Sequence, residues 1–110
     1  MKYLCLAYHE NGNAGDLADE IVDYRNVLLD DGYYITSSPL QPAEMVVTIR
    51  VRNGKMAITE GPFAVSKQQL GGFFLIEAAD LNDAIRVASK MPPARMGCIE
   101  VRPLMEIELE

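Results

Sequence analysis

The 110-residue sequence contains no tryptophan, one histidine and only two cysteines. A single histidine excludes a histidine-rich metal centre, and the spacing of Cys5 and Cys98 fits no metal-binding or redox motif. A mixed site of His9 and carboxylates is the alternative that remains. We therefore expect no metal and no cofactor. We also expect both thiols to be reduced core residues of a cytoplasmic protein.

Positive charge is scarce as well. Ten Lys and Arg against sixteen Asp and Glu give a formal net charge of −6. Proteins that bind nucleic acids or anionic membranes need a basic surface. No apolar run approaches the roughly 20 residues of a membrane span. The apolar start "MKYLCLAY" is followed at once by His-Glu-Asn, which is more typical of a buried strand than of a signal peptide. We expect neither nucleic acid nor a membrane as a partner.

Apolar residues at helical spacing indicate two helices. The first begins at Asp16, a good N-cap residue, and ends at Gly32. The second begins at Asp80 and ends before Pro92. Each helix has one apolar stripe that can pack on a sheet. The stripes are Leu17, Ile21, Tyr24 and Leu28 in the first helix, and Leu81, Ala84, Ile85 and Ala88 in the second.

Short apolar or alternating runs predict the strands. Four of them are residues 2–8, which we expect to be buried on both faces, residues 33–40, "GGFFLIEA" and "GCIEVRP". The run "VVTIRVRNGKMAITE" predicts a hairpin with a type I′ turn at Asn53-Gly54. A two-residue loop fixes the register, so Val47 faces Glu60. Glu60 then shares a face with the apolar side chains of Val47, Ile49, Val51, Met56 and Ile58.

The order of these elements predicts an α+β fold. Strand–helix–strand, an inserted hairpin and strand–helix–strand is the pattern of a ferredoxin-like sandwich, with two helices on one face of an antiparallel sheet. The other face also carries apolar side chains and needs cover, so we expect a homodimer. Residues 1–103 form a single domain. In the tail, residues 104–110, apolar residues alternate with glutamates, which indicates either a strand paired with another subunit or a frayed acidic terminus.

The sequence resembles the YCII-related family, and within it the DGPF branch, over essentially its whole length. The residues that carry the resemblance are Glu60-Gly61-Pro62-Phe63, Lys67, Leu70-Gly71-Gly72-Phe73, Asp80, Pro93-Ala94 and Glu100-Val101-Arg102-Pro103. The stretch Glu60–Phe73 is the most specific part. The resemblance implies a ferredoxin-like fold of the dimeric α-β barrel type. It departs from the branch motif at Glu60, where the branch has Asp.

For function, the resemblance implies two kinds of protein. Some relatives are enzymes that act on small lactone-like or chlorinated aromatic compounds through a His/Asp pair. Others, of the DGPF type, are encoded beside or fused to extracytoplasmic-function sigma factors. Residues 16–31 contain no histidine, although Asp31 occupies the place of the acidic residue. The His/Asp pair is incomplete, so that mechanism does not transfer to this chain.

Three residues are candidates for catalysis. Glu60 combines a carboxylate with an apolar face and a rigid Gly-Pro turn, and a partly desolvated carboxylate can exchange protons near neutral pH. His9 follows the first strand directly, and Asp31 lies in a last helical turn, where negative charge opposes the helix dipole. Each has a purely structural alternative: a loop-holding carboxylate, an exposed loop histidine and a solvated helix end.

Three more residues are candidates for ligand binding. Lys67 and Arg95 are cations that could pair with Glu60 or bind an anionic substrate, and the alternative for both is a simple surface charge. Phe63 could contact an apolar group of a ligand, and the alternative is packing in the core or at the dimer contact. The leading hypothesis is a homodimer that binds a small organic molecule in a cleft, with Glu60 as the proton-handling or anchoring group. The alternative is a non-catalytic interaction or regulatory module linked to a sigma factor. The sequence leaves open whether the protein is an enzyme.

Overall fold

The computed structural model describes residues 1–10, 17–64 and 67–107. These ranges contain six strands, three helices and a short 3-10 turn over Ala43–Met45. The strands are β1 (Lys2–His9), β2 (Tyr34–Pro39), β3 (Val47–Arg52), β4 (Lys55–Glu60), β5 (Gln69–Glu77) and β6 (Gly97–Pro103). The helices are α1 (Ala18–Asp30), α2 (Leu81–Ala88) and the single turn α3 (Pro93–Met96).

Four strands form an antiparallel sheet in the order β2-β5-β1-β6, and β3 and β4 form a separate two-stranded hairpin. The α+β class predicted from the sequence is confirmed, and the strand order is compatible with a ferredoxin-like fold. The core lies between one face of the sheet and the helices. It contains Leu28 of α1, Ala84, Val87 and Ala88 of α2, and Tyr3, Cys5, Phe74 and Ile76 of the sheet.

The hairpin has the predicted register. Val47 lies opposite Glu60, and the pairing continues without a shift to Arg52, which lies opposite Lys55. Asn53 and Gly54 have φ angles of 54° and 74°. Positive φ at both loop residues is what a type I′ turn requires, and this is why Asn-Gly sets the register so reliably. The apolar side chains of this hairpin are exposed in the single chain: Val47, Ile49, Val51, Met56 and Ile58.

The helix ends follow local sequence chemistry. Gly32 has φ 83°, and the N–H of Tyr33 donates to the carbonyl of Leu28 at 2.9 Å, which is the Schellman arrangement. Asp80 caps α2, because its Oδ1 accepts a hydrogen bond from the N–H of Asp83 at 2.8 Å. The cap predicted at Asp16 lies outside the described residues.

Two predictions about burial are wrong. The buried residues of α2 are Ala84, Val87 and Ala88, whereas Leu81 and Ile85 are exposed. Ala84 and Ala88 are buried as predicted, but Val87 completes the buried face in place of Leu81 and Ile85. Cys98 is exposed, because β6 turns it to the face of the sheet that carries no helix.

The sheet face without helices is partly open to solvent. On β1, Tyr3, Cys5 and Ala7 are buried under the helices, whereas Leu4, Leu6 and Tyr8 are half-buried. The alternation follows from the period of two along a strand. We call this second face, which also includes Phe73 and Leu75 of β5, the open face.

The C-terminal tail leaves the sheet after β6. The N–H of Leu104 donates to the carbonyl of Lys2 at 2.9 Å, and residues 105–107 have no regular secondary structure. The side chains of Met105 and Ile107 are 82% and 67% exposed. Residues 108–110 lie outside the described part, so the two alternatives for the tail stay open. Among the described helices, none has the length and apolar character needed to span a membrane.

Candidate functional site

A groove of about 1190 Å³ lies between the open face and the hairpin. Its floor comes from the ends of β1, β5 and β6, through Tyr8, Leu70, Cys98 and Glu100. One wall is the start of β3, and the connections at 40–46 and 62–64 complete the rim. The lining is mostly apolar, with few polar groups. Ligand sites in proteins commonly have this composition.

The floor of the groove follows from strand register. Tyr8 lies opposite Leu70 on β5 and Cys98 on β6, and these side chains share the open face. The Tyr8 hydroxyl donates to Oε1 of Glu100 at 3.5 Å. The same oxygen accepts a hydrogen bond from Nε of Arg102 at 2.9 Å. The groove therefore contains a hydroxyl and a carboxylate that are already oriented by neighbouring groups.

The hairpin wall is fixed by hydrogen bonds around Gly61. The Thr48 hydroxyl donates to the Gly61 carbonyl at 2.7 Å, and the Gly61 N–H donates to the Val46 carbonyl at 2.7 Å. Gly61 has φ 93°, a conformation that favours glycine. This turn directs Pro62 and Phe63 to the rim of the groove. The Phe63 ring is 79% exposed, which leaves it free to contact a ligand or another chain.

Glu60 lies beside this groove. Its register partner Val47 lines the wall, and the two side chains share one face of the hairpin. The Glu60 side chain is exposed in the single chain, so the partial desolvation expected from the sequence is not present there. Glu60 itself is not among the residues that line the groove, although its neighbours Pro62 and Phe63 are.

His9 lies on the other face of the sheet. It follows Tyr8 in β1, and adjacent residues of a strand point to opposite faces. Its ring packs against the backbone of Gly71, and its Nδ1 is buried without a hydrogen-bond partner among the described residues. His9 is therefore a strand residue with a packed ring, not an exposed loop histidine, and the sheet separates it from the groove.

Asp31 is far from His9. It caps the C-terminal end of α1, two residues before Tyr33, whose carbonyl accepts from the N–H of Glu77. Glu77 pairs with Lys2, at the opposite end of β1 from His9. Seven residue steps along a strand separate these ends by about 23 Å. The single chain therefore does not bring Asp31, His9 and Glu60 into one site.

The two candidate cations are also separated. Arg95 forms an ion pair with Glu20 of α1 and lines a second, smaller cavity of about 320 Å³ on the helical side. It is not among the residues that line the groove. Lys67 is exposed and lies just before β5, close in sequence to the groove residue Gln69. Of the two, only Lys67 is placed near the groove by the chain.

The sequence candidates did not include the groove residues that carry an ionisable side chain: Tyr8, Cys98 and Glu100. A signal was present, because alternation in "GCIEVRP" puts Ile99 and Val101 on one face and leaves Cys98 and Glu100 for the other. The sequence did not predict that β6 pairs with β1. This pairing brings Tyr8 beside Cys98 and Glu100. Within residues 1–10, 17–64 and 67–107, no group of His, Cys, Asp and Glu side chains is arranged to hold a metal ion.

Similarity to known proteins covers nearly the whole chain. The family model of the YCII-related domain matches residues 1–108. A protein of Rhizobium meliloti (strain 1021), named only as uncharacterized, is 40% identical over 67 residues. The aligned part is 59% of this chain and 54% of that protein, so the chain spans about half of the relative's length. The relative's name describes no activity.

Proposed function

The chain belongs to the YCII-related family, and for this member we propose that it binds a small organic molecule in the groove between the open face and the hairpin. The proposal includes a homodimer of ferredoxin-like subunits, in which a second copy covers part of the open face. It assigns Glu60 the role of an acid–base or anchoring group at the rim. The free thiols of Cys5 and Cys98 suit the cytoplasmic location expected from the sequence.

The observation that carries the proposal is the composition and shape of the groove. Apolar side chains such as Leu40, Met45 and Leu70 surround a few polar groups, among them Thr48 and the hydrogen-bonded pair Tyr8 and Glu100. In small-molecule sites, apolar area supplies affinity, and a few fixed polar groups supply orientation. A ligand with an apolar body and one hydrogen-bonding end fits this description.

The size of the groove supports a second copy. Its volume of about 1190 Å³ exceeds the roughly 300–1,000 Å³ of typical ligand pockets. The radius of gyration of the chain is 15.8 Å, against about 13 Å for a compact domain of this length. The hairpin forms a sheet of its own beside the four-stranded sheet, and its apolar face is exposed. A second copy packed on the open face would bury this surface and reduce the groove to the size of a ligand site.

In this proposal, Glu60 acts when a partner or a ligand shields its side chain from water. In the single chain its carboxylate is solvated, but it shares the hairpin face with Ile58 and Val47, which a partner or ligand would dehydrate. In such a dehydrated site, a hydrogen bond between this carboxylate and a bound molecule is stronger than the same bond in water. Phe63, three residues later, would close the apolar side of the same site.

A thermal-shift screen tests the proposal. Wild type and Glu60→Gln are heated with benzoate, octanoate, γ-butyrolactone and related aromatic acids and lactones. A ligand at 100 times its Kd adds about 2.7 kcal/mol to the unfolding free energy, a shift of several degrees for a domain of this size. We expect a shift in wild type that is reduced in Glu60→Gln. The matched control is Asp30→Asn, which removes a carboxylate from the exposed end of α1 and should keep the full shift.

The alternative is an interaction module without chemistry, linked to an extracytoplasmic-function sigma factor. The exposed apolar hairpin and the net charge of −6 favour a partner with a basic rim around an apolar patch. Binding of such a factor that is lost when Ile49 and Ile58 are replaced by Ser, combined with no thermal shift by any compound, would favour this alternative over the ligand groove.

A further inference from the structure

The hairpin has two strand edges without a partner in the described part of the chain, since β3 and β4 hydrogen-bond only to each other there. An unpaired edge readily accepts another strand. The two faces of the hairpin carry different kinds of side chain. One carries the exposed apolar side chains, and the other carries Arg50, Arg52 and Lys55, which form no ion pair with any described carboxylate. Of the two edges, β3 has two of these three cations.

The C-terminal tail has the complementary pattern. Met105 and Ile107 are apolar, exposed and two residues apart, and Glu106 lies between them. In an extended conformation, the period of two places Met105 and Ile107 on one face and Glu106 on the other. A strand with this alternation, added to the edge of β3, would place apolar beside apolar and glutamate beside arginine. Both kinds of cross-strand pair are favourable.

The tail and hairpin of one chain are at opposite ends of the sheet. The tail leaves where Leu104 bonds to Lys2, whereas the hairpin is connected to the sheet where Leu40 bonds to Gly71, close to His9. These ends of β1 are about 23 Å apart. The four residues 104–107 span at most about 14 Å, so they do not reach the base of their own hairpin. A two-fold axis perpendicular to the strands brings the Lys2 end of one sheet to the hairpin end of the other.

We propose that the C-terminal segment, residues 104–107, of a second copy of this chain adds as a strand to the edge of β3, with Glu106 beside Arg50 and Arg52. Each copy gives its tail and receives the other's, so the contact closes with two-fold symmetry. The inference rests on the homodimer of the proposed function, and it adds that the C-terminal segment holds the two copies together. It also assigns the alternating tail a role as an interface strand.

Charge reversal provides the sharpest test. The Arg50→Glu/Arg52→Glu variant and the Glu106→Lys variant are studied by analytical ultracentrifugation, separately and mixed in equal amounts. Separately, each brings like charges together at both tail contacts, and its dimer Kd should rise at least about 10-fold. In the mixture, one contact is wild type and the other is a reversed but complementary pair. The mixed dimer should therefore recover a Kd close to that of wild type.

Two further chains complete the experiment. Lys90→Glu reverses a charge on the helical side and should leave the dimer unchanged. A chain that ends at Pro103 should dimerise at least about 10-fold more weakly than wild type, and since the tail is exposed, its circular dichroism should remain that of the folded domain. A wild-type dimer that survives truncation, or a mixture as weak as its components, would overturn the tail exchange alone. A wild-type chain that stays monomeric would overturn both the tail exchange and the proposed homodimer.

Discussion

The imidazole of His9 lies directly against the backbone of Gly71, in the space that a Cβ at that position would occupy. The next residue is also constrained, because a Cβ at Gly72 would meet the backbone carbonyl oxygen of Ser38 at 3.0 Å. The Gly71-Gly72 pair within β5 is therefore a packing feature. One glycine makes room for a side chain of β1, and the other makes room for the backbone of β2.

This contact predicts an energetic coupling between His9 and position 71. Gly71→Ala should destabilise the fold by about 1–3 kcal/mol, the usual cost of overpacking, because the ring must rotate away. The double variant His9→Ala/Gly71→Ala should recover at least half of that loss, since the obstructing ring is gone. Urea denaturation of the four proteins of this cycle measures the coupling.

Gly72→Ala is the control for this cycle. Its added methyl group meets backbone, so His9→Ala should not restore its stability. Equal stability of Gly71→Ala and wild type, or a zero coupling between the two sites, would contradict the packing that we describe.

The cap of α2 predicts a second stability effect. Asp80→Ala removes the acceptor for the N–H of Asp83 and should lower the unfolding free energy by about 0.5–2 kcal/mol. Asp30→Ala is a matched carboxylate removal at the end of α1, where negative charge opposes the helix dipole. It should be neutral or stabilise by up to about 1 kcal/mol. Chemical denaturation that ranks the two in the reverse order would contradict the assignment.

The two thiols should differ in reactivity. Burial raises the pKa of the Cys5 thiol from 9.0 to about 11, so it carries almost no thiolate at neutral pH. Cys98 is exposed in the groove. Titration of the folded protein with an aromatic disulfide reagent should modify one thiol quickly, and the second only after unfolding. Cys98→Ser should abolish the fast reaction, and two fast thiols in wild type would show that the core around Cys5 is open.

Stability in acid should depend on Asp83. Its carboxylate accepts hydrogen bonds from the N–H of Ala79, from Arg86 and from the hydroxyl of Tyr33. The first of these contributes most, and together they lower the pKa of Asp83 below 3.8. The folded state then binds this proton less readily than the unfolded state does. The stabilisation is complete above about pH 4 and is lost as the pH falls through the lowered pKa.

The variant Asp83→Asn should therefore be less stable than wild type at neutral pH, and the difference should shrink as the pH falls below about 4. Urea midpoints measured over this range give the comparison. A difference that stays constant with pH would mean that the charge of Asp83 contributes nothing to the network. Asp23→Asn, on the exposed surface of α1, provides a control for the general effect of removing a carboxylate.

Short sequence patterns predicted much of the fold correctly. Asn53-Gly54 fixed the hairpin register because a two-residue loop leaves one pairing, and Asp80 and Gly32 marked helix ends through hydrogen bonds within a few residues. The α2 stripe was correct for Ala84 and Ala88 and wrong for Leu81 and Ile85, because the buried face of the helix is completed by Val87.

The candidate site could be predicted only in part. Glu60 and Phe63 come from one continuous segment, and the structure places both beside the groove. Its other polar residues, Tyr8 and Glu100, are 92 positions apart in sequence and meet only through the pairing of β1 with β6. The face of the sheet on which His9 lies could not be predicted from its residue type. A shift of one residue along β1 moves a side chain from the groove to the helical face.

Backbone amide chemical shifts of the labelled protein, recorded during titration with the compound that gives the largest thermal shift, test the central claim most directly. The ligand groove predicts saturable shifts at Tyr8, Thr48, Phe63 and Leu70, and at Glu60 on the rim, with little change around Tyr24 and Arg95 on the helical side. Shifts confined to the helical side, or saturation without change in the groove, would contradict a ligand site between the open face and the hairpin.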